Sequence, residues 1–182
     1  MHRGRLNIIS NVARKRNEQI FAELKDKNFF TENEYLTGDV PYHLGQSNIL
    51  NFNKNKINVS VSPHPSHLLT VAAYSMGKAR AKIERSNRMD KILCIQMHTD
   101  AAFSGQGLAS ELLQLSKLSG YSVNGSIHVV VNNRIGFTTT EEEGRSSYYC
   151  TDIAKMIEAP ILHVNGDDLD AIIQSASLAI MY

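Results

Sequence analysis

Apolar residues recur along this chain at two spacings, and each spacing predicts its own elements. Ile9, Ala13, Ile20 and Leu24 fall at helical intervals and predict an amphipathic helix over residues 6–25. Leu69, Ala72, Met76, Ala79 and Ile83 predict a second helix, with Ser66 as its N-cap after the break at Pro63-His64-Pro65. Leu108, Leu112 and Leu115, with Leu118 following, predict a third. Asp152 caps a short helix through Met156, and Asp167-Asp168 start a last one with Leu169, Ile172, Ile173, Ala176 and Ile180 on one face. Ile57, Val59 and Val61 alternate with polar residues, as in a strand with one wetter face. The runs from Ile92, from Ser126 to Val131 and from Pro160 to Asn165 are continuously apolar and predict buried strands. Residues 26–40 are polar and glycine-containing and predict a loop, Asn53–Lys56 a basic turn, and Glu84–Lys91 a charged connection. Five or six helices interleaved with four strands predict an α/β fold, a parallel sheet with helices on both faces.

At 182 residues the chain is read as one domain, 1–182, able to bury a sizeable core. Its net charge of +1 leaves no basic field for nucleic acid. Arg14-Lys15-Arg16 and Glu141-Glu142-Glu143 read as solvated charge runs. Cys94 and Cys150 form neither a disulfide framework nor a zinc spacing, and Cys94 reads as a core residue. A reduced, cytoplasmic compartment fits that usage. No apolar run reaches the ~18–20 residues of a membrane span, and no signal-peptide pattern opens the chain. His64 and His67 have a metal-ligand look, but no third ligand lies near in sequence, so zinc is not expected. Both chain ends look abrupt for a self-contained domain.

Candidate chemistry concentrates where the strand from Ile92 runs into Asp100, a glycine-bearing turn and a helix. The next strand ends in Asn132-Asn133. One helix joins two parallel strands, so Asp100, Asn132 and Asn133 should meet at the carboxyl edge, where open α/β sheets bind ligands. A carboxylate and an amide oxygen there are hard donors suited to Mg²⁺, which is commonly shared with a phosphate ester. Taken alone, Asp100 reads more readily as a helix cap and Asn132-Asn133 as a turn. Arg3 and Arg5 open the first predicted helix, where an arginine fork and helix amides can grip a diphosphate. Tyr42-His43, taken bare, reads as a buried pair satisfied by backbone.

The flanking residues shift these readings. Asp100-Ala-Ala-Phe-Ser-Gly-Gln-Gly107, followed by Val-Val-Val-Asn-Asn133-Arg-Ile135-Gly-Phe-Thr-Thr, resembles the thiamine-diphosphate and magnesium motif of the 2-oxoglutarate dehydrogenases, specifically their decarboxylating first component. His2-Arg3-Gly4-Arg5-Leu6-Asn7, Gly38-Asp39-Val40-Pro41-Tyr42-His43-Leu44-Gly45, Pro65-Ser66-His67 and Arg145-Ser146-Ser147-Tyr148-Tyr149-Cys150-Thr151-Asp152 are similar to further motifs of that family, in its order. The resemblance implies a thiamine-diphosphate-binding fold, of which this chain would be the diphosphate-binding domain, apparently truncated. It implies that Asp100 and Asn133 bind Mg²⁺ through side chains and Ile135 through its carbonyl, with Ala101 against the cofactor. Arg3 would contact the diphosphate, and His2, His43 and His67 would face the substrate, with Ser47 a weaker match. The segment from Arg145 would shape the cofactor side of the pocket.

By the same resemblance the chain would serve thiamine-diphosphate-dependent decarboxylation of 2-oxoglutarate in the tricarboxylic acid cycle. The succinyl group would pass to the lipoyl arm of a dihydrolipoyl succinyltransferase. The family works as a homodimer, in bacterial cytoplasm or the mitochondrial matrix, without nucleic acid or membrane. Two departures stand out. Thr99 replaces a family glycine, and should restrict the backbone just before the metal ligand, add bulk where the chain approaches the cofactor and weaken Mg²⁺ binding; His64 replaces a family asparagine. The family chain is also several times longer, and the glutamate that activates the aminopyrimidine ring has no match here. A non-catalytic remnant, or a Mg²⁺-diphosphate binding module without chemistry, are the alternatives, and the apolar surface that family members bury against a partner should lie exposed.

Overall fold

The computed structural model describes residues 2–25 and 40–182. The predicted loop up to residue 39, with Gly38 and Asp39 of the second motif, lies outside the described residues. The chain divides into two compact units, Met1–Val71 and Ala72–Tyr182.

In the first unit the helix expected over 6–25 is broken in two. α1 (His2–Asn7) runs into a widened turn, Ile8–Val12, and α2 (Asn17–Leu24) restarts from an extended Arg16. Between them Arg14 adopts a left-handed backbone, φ 58°. The break tucks Ala13 fully inside beside buried Ile9 and Ile20. The Asn48 amide donates to the freed Ala13 carbonyl at 3.2 Å, and a Lys15–Glu23 ion pair at 2.6 Å spans the gap. The apolar spacing thus reports Ile9, Ala13 and Ile20 as buried, misses that Leu24 is 52% exposed, and is blind to the break.

β1 (Gln46–Phe52) and β2 (Asn55–Val61) form an antiparallel hairpin, with Asn53 left-handed in the turn. The alternation of Ile57, Val59 and Val61 marks β2. β1 lacks a comparable stripe and was not expected. Ser66 is not a helix N-cap: it sits inside a 3₁₀ turn, Pro65–His67, and α3 (Leu68–Ser86) begins after it. His64 at φ 56° and Leu68 at φ 43° bracket that turn, and histidine, like asparagine, is among the side chains that tolerate the left-handed region.

In the second unit β3 (Cys94–Thr99) pairs in parallel with β4 (Ser126–Val131), in register from Cys94↔Ser126 to Thr99↔Val131. The connection is helical but interrupted, as α4 (Asp100–Gly105) and α5 (Gly107–Gln114) with an extended Gln106 between them. α5 buries Ala109, Leu112 and Leu113; Leu118 lies beyond it and is exposed. A core cluster of Ala79, Ile83, Cys94 and Val123, with Met76 and Ile92 against it, joins α3 to β3. Next come β5 (Ile135–Gly136) and β6 (Thr139–Thr140), a short antiparallel ladder, then α6 (Glu141–Gly144). Asp152 opens a 3₁₀ segment, Asp152–Ile157, whose cap position is Thr151. α7 (Leu169–Met181) is N-capped by Asp168, which accepts from the Ala171 amide at 3.0 Å.

The architecture is α/β, but the parallel pairing is confined, among the described residues, to β3–β4. Residues 160–165 join no ladder; an apolar run without a pairing edge stays extended coil. β3 is also one-sided. Cys94, Gln96 and His98 face inward, while Ile95 is 59% and Met97 41% exposed. Leu169, Ile173 and Ile180 of α7 are exposed as well, in keeping with the expected open apolar surface. No helix among the described residues is long and apolar enough to cross a membrane.

Ile83→Ala should destabilise the second unit by about 2–4 kcal/mol, because it opens a cavity in the α3–β3 core. Ile173→Ala on exposed α7 should stay within about 0.5 kcal/mol of the wild type. Equilibrium urea unfolding of the two variants measures the contrast.

Candidate functional site

β3 and β4 end level, so the residues just past them are neighbours. Asp100 is the first residue of α4 and is 1% exposed. Past β4, the Arg134 amide donates to the Asn132 side-chain oxygen at 3.2 Å, and Arg134 takes a left-handed φ of 58°. That turn sends Ile135 back along the edge. One terminal atom of the Asn133 amide lies 2.8 Å from Asp100 Oδ1 and 3.2 Å from the Ile135 carbonyl oxygen. With nitrogen there, the amide donates to both; with oxygen there, three acceptors converge. Oxygen and nitrogen are told apart only by such networks. Neighbouring ligands of an octahedral Mg²⁺, bound at about 2.0–2.1 Å, stand about 2.9 Å apart. When the amide turns its oxygen inward, the 2.8 and 3.2 Å spacings to Asp100 Oδ1 and the Ile135 carbonyl are ones a hard divalent cation can use. Among the described residues no three His, Cys, Asp or Glu side chains form a metal cluster. This donor set needs only one carboxylate, completed by an amide and a carbonyl.

Gly136 permits the approach. A Cβ there would fall 2.7 Å from the Ala101 Cβ, a distance side chains do not tolerate. Asp100, Ala101, Ser104, Ile135, Gly136 and Arg145 help line a cleft of about 200 Å³. Thr99, flagged because the family has glycine, has φ −88° and ψ 158°. That is ordinary extended backbone, which a β-branched residue adopts readily.

Two features of the unit were missed by the sequence reading. Arg145 is inserted between two carboxylates: its Nη1 donates to Asp100 Oδ2 at 3.3 Å and its Nη2 to Glu141 Oε1. The spacing of Glu141 and Arg145, four apart, was a legible signal; the Asp100 partnership was not. The second is a histidine relay on the inner face of the sheet. His98 Nε2 lies 3.1 Å from His128 Nδ1, and His128 Nε2 lies 3.0 Å from Ser126 Oγ, with the two rings stacked. Burial, with the neighbouring His128 second, holds His98 down at about 4; burial also lowers His128.

The other predicted residues belong to the first unit. His2 and Arg3 sit in the opening turn of α1. His43 Nε2 is 2.9 Å from Ser66 Oγ, and its ring stands 6.2 Å from His64, which is 5.7 Å from His67. His43 and His67 are thus brought together, with His64 between. Ser47 is exposed and bonds Ser60 across the hairpin at 2.9 Å. Arg5, expected only at the helix opening, has a larger part. Its guanidinium donates to the carbonyls of Tyr42, Leu44 and Ser62, tying α1 to the two histidine-bearing turns. Gly45 lies in that clamp, where a Cβ would meet the Val61 carbonyl at 3.0 Å.

Comparison with known proteins defines the class. Residues 1–182 match the dehydrogenase E1 component, and the chain belongs to that family, whose domain is a thiamine-diphosphate-binding fold. Among curated relatives, the 2-oxoglutarate dehydrogenase E1 component of Brucella anthropi is 46% identical over 189 residues, 98% of this chain. Those of Brucella ovis and Brucella canis are 46% identical over 190 residues. The chain spans 19% of the length of these relatives.

The depressed His98 gives a pH signature. Between about 6.5 and 4 the unfolded chain binds the proton that the folded site refuses. The contribution is therefore complete above pH 6.5 and is lost as pH falls toward 4. Over that interval the wild type should lose roughly 2–3 kcal/mol more stability than His98→Asn, as read by urea unfolding at stepped pH. Separately, Gly136→Ala should cost about 1–3 kcal/mol, through displacement of β5 from α4, measurable in the same assay.

Proposed function

We propose that this chain supplies the diphosphate-binding part of a thiamine-diphosphate-dependent 2-oxoglutarate dehydrogenase first component, with residues 1–182 acting together. The observation that carries the reading is the convergence of Asp100 Oδ1, the Asn133 amide and the Ile135 carbonyl at 2.8 and 3.2 Å. Asp100, Asn133 and Ile135 would hold Mg²⁺, with Ala101 packed against the cofactor side. Arg3, in the first turn of α1, would add positive charge toward the diphosphate. When bound, thiamine diphosphate supplies an electron sink for the carbanion left as carbon dioxide departs.

The chain's own part is positional. Its cation site neutralises the diphosphate and fixes it at the sheet edge. His2, His43 and His67 would offer hydrogen bonds or protons to the substrate carboxylate and to charge developing at the reacting carbon. Ser66, bonded to His43, orients that ring, and Arg5 holds the backbone beneath it. Ser47, already bonded to Ser60, would play at most a peripheral part. The succinyl product is proposed to pass to the lipoyl arm of a dihydrolipoyl succinyltransferase. The longer protein is proposed to be a homodimer in the bacterial cytoplasm.

A second reading is a Mg²⁺-diphosphate binding module without chemistry, which the 19% coverage of the relatives favours for the 182 residues by themselves. Calorimetric titration of the chain with thiamine diphosphate and Mg²⁺ tests the binding common to both. Heat of binding should vanish in Asp100→Ala and the affinity should drop by about 10–100-fold in Asn133→Ala. Absence of metal-dependent heat in the wild type would overturn both readings. Carbon dioxide release from 2-oxoglutarate then separates them.

A further inference from the structure

Asp100 has two carboxylate oxygens, and they face different partners. Oδ1 points at the Asn133 amide. Oδ2 is taken by Arg145, whose side chain is 7% exposed. Arg145 is held from the far side by Glu141, and its Nε finds no hydrogen-bond partner among the described residues. The guanidinium is thus oriented for the two carboxylates at the expense of one buried donor, a group that is ordinarily satisfied.

We propose that Arg145 is a positioning residue that sets the cation preference of the site: by occupying Asp100 Oδ2 it confines Asp100 to one-oxygen coordination through Oδ1, and so favours Mg²⁺ over Ca²⁺. This rests on the Mg²⁺-diphosphate reading above. Mg²⁺ demands six ligands near 2.0–2.1 Å in octahedral array, which one-oxygen donors supply. Ca²⁺ takes 6–8 oxygens at 2.3–2.6 Å and readily accepts both oxygens of one carboxylate. A guanidinium on Oδ2 blocks the two-oxygen mode. The repulsion this fixed positive charge would exert on a cation is offset by Glu141 on its other side. Glu141 also receives Arg134 at 3.4 Å, but that pair is exposed and screened. Removing Arg145 frees the carboxylate to swing and chelate.

The experiment is a calorimetric titration of the full chain with Mg²⁺ and, separately, Ca²⁺, at saturating thiamine diphosphate. In Arg145→Met the ratio of Mg²⁺ to Ca²⁺ affinity should drop by at least about fivefold, through weaker Mg²⁺ binding with Ca²⁺ held or strengthened. Arg145→Met leaves a buried carboxylate unpaired, so Arg145→Lys is measured beside it. The lysine ammonium can cover Oδ2 without forking to Glu141, and the ratio should fall between wild type and the methionine variant. Equal loss of both cations in the variants, with the ratio unchanged, would overturn the proposal and leave Arg145 a structural residue. If the wild type binds neither cation, the underlying Mg²⁺-diphosphate reading falls, and this inference with it.

Discussion

The register of β3 against β4 is the constraint on which the second unit depends. Parallel strands that end together deliver whatever follows them to the same place. Here that is an aspartate opening one helix and an asparagine opening a left-handed turn. A slip of one residue would reverse the faces of the whole strand. It would bring His98 out of the interior and carry Asp100 away from Asn133. On the polar inner face the His98–His128 contact at 3.1 Å crosses β3–β4 and depends on this register, while Gln96 Nε2 donates to the Ala72 carbonyl of α3 at 3.4 Å and Gln96 Oε1 is buried with no partner among the described residues. Such networks are costly when half-made and specifying when complete.

A different device orders the first unit. There Ile9, Ala13, Ile20 and Leu69 are buried, and one guanidinium ties the turns to α1. Arg5 gathers three carbonyls from two turns far apart in sequence. Each is a part-buried backbone acceptor that the guanidinium satisfies. The histidines on those turns, His43, His64 and His67, are placed by this clamp and by the left-handed backbone at His64 rather than by regular secondary structure.

What the sequence disclosed follows the same division. The strand-helix-strand around Asp100 was legible because apolar runs and a glycine turn are local signals, and the meeting of Asp100 with Asn133 follows from connection rules alone. The Asp168 cap and the core placing of Cys94 were legible for similar reasons. The break at Arg14 was not, because Ala13 and Ile20 stay in helical phase across it. Nor was the coil at 160–165 legible, since composition makes a run apolar but only a neighbouring strand makes it a ladder. The Arg145–Asp100 contact and the Arg5 contacts escaped because the partners lie 37 to 57 residues away, beyond any periodicity. The family motifs pointed to candidate site residues, but not to the long-range contacts that seat them.

The open side of the sheet has a thermodynamic consequence. Ile95, Met97, Val129 and Val131 turn outward, while the inner side carries the polar residues. These side chains are 40–59% exposed, so each leaves ungathered roughly half of the ~1.5–3 kcal/mol that full burial contributes. Its native population is therefore linked by mass action to whatever covers that side. Any partner that binds that side adds its binding free energy to the stability of the fold.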